Sequence, residues 1–256
     1  MTARDVRRWI RRVWIAAGLG ATAWIVWNAQ AHGVPASALA SSASVDVRAG
    51  REATLFVPTA AGPDRALLVF LPGGAIDPRA YVPLVRAIAE AGYPAALVRL
   101  PFRVAPTEGA REEVWRRIEA AHRALGAARP LVLAGHSRGA ALSARFTGRH
   151  HDSVDALALV ATTHPRDEDL SHLTIPVLKI LGSHDCVAPP DDARAHAGNL
   201  PAHTEWVAIE GANHAQFGHY GSQFNDCRAT IARDAQQSAA RDAIVAMLAT
   251  LGDDAG

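Results

Sequence analysis

An apolar run, Leu131-Val132-Leu133-Ala134, passes without a linker into Gly135-His136-Ser137-Arg138-Gly139 and then into the Ala-rich stretch 140–144. A strand, a tight turn and a helix in direct succession leave the middle of the chain few ways to fold. The glycines are needed because strand and helix backbones run too close there for larger side chains, and the turn lifts the serine clear of the sheet edge. Its helix side aims free N–H groups, and the positive end of a helix dipole, at whatever the serine attacks. Such a unit does chemistry only if a base and an acid follow in the right places.

The flanking sequence repeats the strand–helix pattern. Residues 44–49 and 52–58 read as an antiparallel hairpin turned at Gly50-Arg51. The runs 66–72, 94–100, 130–134, 155–162, 175–181 and 204–209 read as buried strands, and helices are expected at 78–91, 109–125, from Arg138 onward, near 191–197 and around 234–251. Repeated strand–helix units after a leading hairpin give a doubly wound, mostly parallel sheet with helices on both faces. A chain of 256 residues holds one such domain with a full core. The short stretch between the strands at 155–162 and 175–181 leaves no room for a cap domain.

Charge is uneven along the chain. Arg4, Arg7, Arg8, Arg11 and Arg12 crowd the first twelve residues with Asp5 as the lone acid; taking these six from 26 basic and 25 acidic residues leaves 21 and 24. A mildly acidic body gives no electrostatic reason to expect nucleic acid as a partner. After the arginines, Val13 to Trp27 runs fifteen residues without a charge, with Trp14, Trp24 and Trp27 at its ends. Two readings follow: an uncleaved membrane anchor with interfacial indoles, or a signal peptide with its small-residue exit at Ala29-Gln30-Ala31. Either places the body outside the cytoplasmic membrane, as a single-pass membrane protein or as a secreted or periplasmic one. The expected organisation is a basic, apolar segment at 1–31, an exposed Ala/Ser/Pro linker at 32–44 and a folded domain at 45–252. Cys186 and Cys227 would then sit where disulfides form, and the even pair is compatible with one bridge or with two small buried thiols.

A serine hydroxyl is a poor nucleophile until a base takes its proton. In doubly wound sheets reactive groups gather at the carboxyl ends of strands. Past the strand ending at Leu181 comes Gly182-Ser183-His184-Asp185, and past the strand ending at Ile209 comes Glu210-Gly211-Ala212-Asn213-His214. Ser137, Asp185 and His214 therefore each follow a different strand end, in the order nucleophile, acid, base. His136 and His184 flank the site as packing or lining residues, and His150-His151-Asp152 has no partner cluster that would make it a metal site.

The strand–G-x-S-x-G–helix unit, the G-x-x-D loop and the Asn-His loop in this order resemble the α/β-hydrolase superfamily over residues 66–251. Pro72-Gly73-Gly74-Ala75, Asp77-Pro78-Arg79-Ala80-Tyr81 and Asn213–Gly218 (NHAQFG) look like a compact, lid-less bacterial branch related to dienelactone-hydrolase-like esterases. Dienelactone hydrolases proper use cysteine where this chain has Ser137, so their substrate does not carry over. The resemblance implies Ser137 as nucleophile, His214 as base and Asp185 as its orienting acid. The oxyanion would be held by the backbone N–H of Arg138 and by that of Gly74, with Ala75 as the alternative. The function expected is serine hydrolysis of a small or accessible carboxylic ester, with no metal or organic cofactor. Acyl transfer or amide cleavage by the same triad, and ligand binding on a non-catalytic hydrolase fold, are the competing readings.

Overall fold

The structure is a computed structural model that describes residues 2–60, 62 and 65–251; residue 252, the expected end of the folded domain, lies outside the described residues. Eight strands form one sheet in the order β1-β2-β4-β3-β5-β6-β7-β8. The hairpin β1 (Val45–Ala49) and β2 (Ala53–Pro58) is antiparallel, and β2 also pairs antiparallel with β4 (Ala95–Val98). From β4 onward the neighbours are parallel: β3 (Leu67–Leu71), β5 (Leu131–His136), β6 (Ala156–Val160), β7 (Val177–Gly182) and β8 (Glu205–Ile209). This is the expected doubly wound, mostly parallel α/β-hydrolase fold, and no separate cap covers it among the described residues.

Period-two alternation splits each central strand between two cores. Leu68 and Phe70 of β3 face one side with α2 (Val82–Glu90) and α6 (Arg233–Thr250), where Val85, Ile88 and Ile244 are fully buried. Leu67, Val69 and Leu71 face the other, against Val114, Trp115 and Ile118 of α3 (Glu108–Gly126). On that side α4 (Arg138–Arg149) lays Ala140 and Ala144 against Leu157 and Leu159. Covered on both faces, β3 to β7 read in the sequence as near-continuous apolar runs, interrupted in β7 by Lys179.

Topology positions the site. The chain runs from β3 outward to β4, then crosses back to β5 on the other side of β3, so the strand order reverses between β3 and β5. Crevices at such switch points, beyond the carboxyl ends of the strands, are where open α/β sheets bind ligands. The register pairs Leu71 with Gly135, which sets the glycine loop after β3 beside Ser137.

The N-terminal segment departs from expectation. Residues Ala3–Asn28 form one helix, α1, with no buried residue, capped by reciprocal bonds between Thr2 and Asp5. No helix among the described residues is long and apolar enough to cross a membrane. The expected membrane location, with the body held outside the membrane or released there by cleavage, is corrected accordingly. The uncharged run is fifteen residues where a span needs roughly 20, and Gly18, Gly20, Thr22 and several alanines dilute it. The small residues read as a signal exit instead dock on the domain: Ala29 accepts from Asp77 N–H at 2.8 Å, and Ala31 forms a β-bridge with Tyr220. Farther on, Arg86 of α2 donates to the carbonyls of Ser37, Ala38 and Ala40, and Ala38 is buried.

Candidate active site

Ser137 sits between β5 and α4 with φ 52° and ψ −114°. A non-glycine residue pays for that conformation unless its surroundings fix it. Here its N–H donates to Val160 O on β6 at 2.9 Å, and its carbonyl accepts from Ala141 at 3.0 Å inside α4. The neighbouring glycines have a steric reason. A Cβ on Gly135 would meet the Gly139 backbone and Ala140 N, and a Cβ on Gly139 would meet the Leu71 carbonyl.

Three side chains of the expected set converge. Asp185 and His214 are buried, and His214 Nδ1 lies 2.8 Å from Asp185 Oδ2. The other carboxylate oxygen, Oδ1, accepts from the amides of Val187 (2.9 Å) and Ala188 (2.7 Å). An ionised carboxylate only accepts, so the proton between the pair sits on Nδ1 and leaves Nε2 with its lone pair. His214 Nε2 is buried and meets no hydrogen-bond partner among the described residues. It faces a cavity of about 230 Å³ shared with Ser137, whose other walls include Thr162, His164 and Val187.

The loop after β3 supplies backbone donors, and hydrogen bonding separates them. The Gly73 backbone adjoins the buried phenol of Tyr81, and Ala75 N–H donates to Arg103 O at 2.9 Å. Between them the Gly74 amide meets no acceptor among the described residues. The same holds for the Arg138 amide at the first position of α4, where helix N–H groups are free by geometry. Gly74 approaches the turn so closely that a Cβ on it would lie 3.0 Å from Arg138 Cβ. The arrangement offers two N–H groups beside one hydroxyl, as tetrahedral oxyanions require. The Arg138 guanidinium donates to the carbonyls of Val104 (3.1 Å) and Ala105 (3.2 Å), tying that loop to the turn, and burial lowers its pKa.

Several residues outside the expected catalytic set support it. Tyr81 Oη lies 2.8 Å from Nδ1 of His136, whose ring packs 4.6 Å from that of His214. Burial holds the His136 pKa well below its usual range, so the ring is neutral. Asp226 Oδ1 accepts from His214 N–H (3.2 Å) and its Oδ2 from Ala215 N–H (2.9 Å). Desolvation raises that carboxyl's pKa. Gln236 of α6 holds Asn213 at both backbone groups, 3.1 and 2.7 Å. A disulfide joins Cys186 to Cys227, with Cα atoms 5.3 Å apart. One partner follows Asp185 and the other follows Asp226, so the crosslink ties the acid loop to the segment that clamps the histidine.

Residues 67–238 match a family model described as the Alpha/beta hydrolase family. No curated protein is significantly similar to the chain in sequence. Among solved structures, Est1E from Butyrivibrio proteoclasticus superposes with a TM-score of 0.58 at 12% identity, over 81% of this chain and 100% of its own. Esterase 2 of Thermogutta terrifontis, in a form phosphoramylated by tabun, gives a TM-score of 0.57 at 18% identity, over 83% and 96% of the two chains. An alpha-beta serine hydrolase homologue from Coxiella burnetii gives 0.55 at 16% identity, over 80% and 97%. At these identities the likeness is one of fold.

Proposed function

This chain belongs to the alpha/beta hydrolase family, and we propose that it is a serine hydrolase cleaving a carboxylic ester of a small or accessible substrate through an acyl-enzyme. Ser137 Oγ attacks the ester carbonyl while His214 Nε2 takes its proton. Negative charge on the carbonyl oxygen is met by the amides of Arg138 and Gly74, and Asp185 stabilises the imidazolium and fixes its orientation. Collapse of the intermediate breaks the ester C–O bond, and the imidazolium gives its proton to the departing alcohol. Water then repeats the sequence on the acyl-serine.

The observation that carries this reading is the buried Asp185–His214 pair, 2.8 Å apart, whose free Nε2 opens on the cavity that Ser137 shares. The absence of a cap among the described residues favours soluble, accessible esters over lipid aggregates. A fluorophosphonate probe tests the assignment, because it phosphonylates a serine only where a base activates it. Wild-type protein should be labelled, Ser137→Ala should not be, and His214→Ala should react far more slowly. A folded wild-type protein that resists labelling would overturn the reading.

A further inference from the structure

A second hollow, of about 210 Å³, opens beside the glycine loop. Gly74 and Ile76 form one wall and Tyr220 and Phe224 another; the third is Trp24 and Ile25, from the last turns of α1. Two of these walls adjoin the proposed chemistry. Gly74 is the proposed oxyanion donor and lies against Arg138. Tyr220 is in the segment after His214, and its hydroxyl donates to the His214 carbonyl at 3.4 Å.

The third wall is fixed to the other two. Gly221 N–H donates to Asn28 O at 2.9 Å, His32 N–H to His219 O at 2.7 Å and Asp77 N–H to Ala29 O at 2.8 Å. Gly221 has no room for a side chain, since a Cβ there would meet Asn28. The end of α1 is thus held by backbone bonds to the glycine loop and to the segment after His214 together.

The lining chemistry selects the occupant. Among the described residues no charged side chain lines the hollow, and Asn28, Ser222 and Gln223 are its polar lining. Phe224 is 74% exposed and Trp24 44% exposed, so aromatic surface faces water around a concave site. Covering such surface with an apolar group is favourable, whereas an ionic group would lose its hydration there without a counter-charge. A dry cavity of about 150 Å³ accepts benzene, so this volume accommodates a single ring or a branched alkyl group. An ester has two arms, and the hollow offers an apolar place for one of them besides the cavity beside Thr162 and Val187.

We infer that the hollow between Trp24, Gly74 and Phe224 is a substrate subsite for an apolar, ring-sized arm of the ester, and that α1 sets substrate selectivity through it. The inference rests on Ser137 being the nucleophile. Acyl and alcohol arms share this chemistry, and the test separates them.

Hydrolysis of methyl acetate, methyl 3-phenylpropionate and benzyl acetate by the full chain is followed by pH-stat. One of the two aryl esters should show the highest kcat/KM, naming the arm that enters. Trp24→Ala and Phe224→Ala should each lower kcat/KM for that ester about tenfold, mainly through KM, and leave methyl acetate within about twofold. Trp9→Ala, on the same helix about 22 Å from Trp24, should change neither. Equal losses on all three esters, or no loss on the aryl ester, overturn the subsite while fluorophosphonate labelling of Ser137 leaves the serine assignment standing. No turnover together with no labelling overturns both.

Discussion

The phenol of Tyr81, 2.8 Å from Nδ1 of His136, fastens the segment after the Gly74 loop to β5, the strand that leads into Ser137. The same oxygen lies against the Gly73 backbone, and both rings are buried. Burial pushes the phenol pKa up and the imidazole pKa down, so both are neutral and the O–H donates to Nδ1. The proposed nucleophile follows β5 and the proposed oxyanion donor follows β3, and this contact ties the two segments together.

Tyr81→Phe removes the hydroxyl and leaves the His136 Nδ1 buried without its partner. The expected cost is about 1–3 kcal/mol of stability, read from the urea midpoint. Turnover should fall through kcat more than through KM, because a displaced Gly74 amide weakens stabilisation of the transition state. An unchanged midpoint and unchanged kcat would show the contact to be dispensable.

Asp185→Asn keeps the shape of the side chain and its bonds to Val187 and Ala188, yet no longer holds His214 in the tautomer that bares Nε2. Activity on methyl acetate should drop by about 10⁴-fold with the fold intact by circular dichroism. A loss of less than tenfold would move the acid to another residue.

The Cys186–Cys227 crosslink joins residues separated by 41 positions in sequence. By chain entropy its removal costs about 4 kcal/mol. Because Cys227 adjoins Asp226, which clamps the amides of His214 and Ala215, reduction should also slow turnover before the protein unfolds. Thermal melts and assays with and without a dithiol reductant check both points. Equal melting temperatures in the two states would contradict the first.

Lys179 is the chain's one lysine and is fully buried on β7, its ammonium reaching the His164 carbonyl. Burial lowers its pKa from 10.5 to about 7. Between those values the unfolded chain holds a proton that the folded one does not. Stability therefore rises with pH across that window, by at most about 1.4 kcal/mol per unit, and the contribution is lost as pH falls through 7. Urea unfolding at pH 7, 8 and 9 should show wild type gaining on Lys179→Met as pH increases. Parallel curves for the two proteins would refute the assignment.

Element order and most boundaries were legible because buried parallel strands leave continuous apolar runs between Gly and Pro markers. The run at 66–72 became β3 at Leu67–Leu71 for that reason. Asp185 and His214 stood out by their places after strand ends, and the fold brings them into contact. The choice between Gly74 and Ala75 was not legible. It turns on whether Ala75 N–H finds Arg103 O, a matter of loop conformation alone. Tyr81 and His136 are 55 residues apart, and nothing local marks either as a partner. The segment at 1–31 misled because arginines followed by an uncharged, Trp-flanked run look alike in a membrane segment and in a solvent-facing helix. Its docking is made largely by backbone groups, which leave no trace in residue type.

The crowding at Gly135 and Gly139 also bears on how this enzyme could be re-engineered. A library randomising the five residues of the turn would discard every variant that adds a Cβ at either end, and Ser137 is fixed by its proposed task. Only the sites of His136 and Arg138 are open to exchange. Each already has a second duty, one toward Tyr81 and one toward Val104 and Ala105. New selectivity is therefore better sought in the surrounding loops than in the turn.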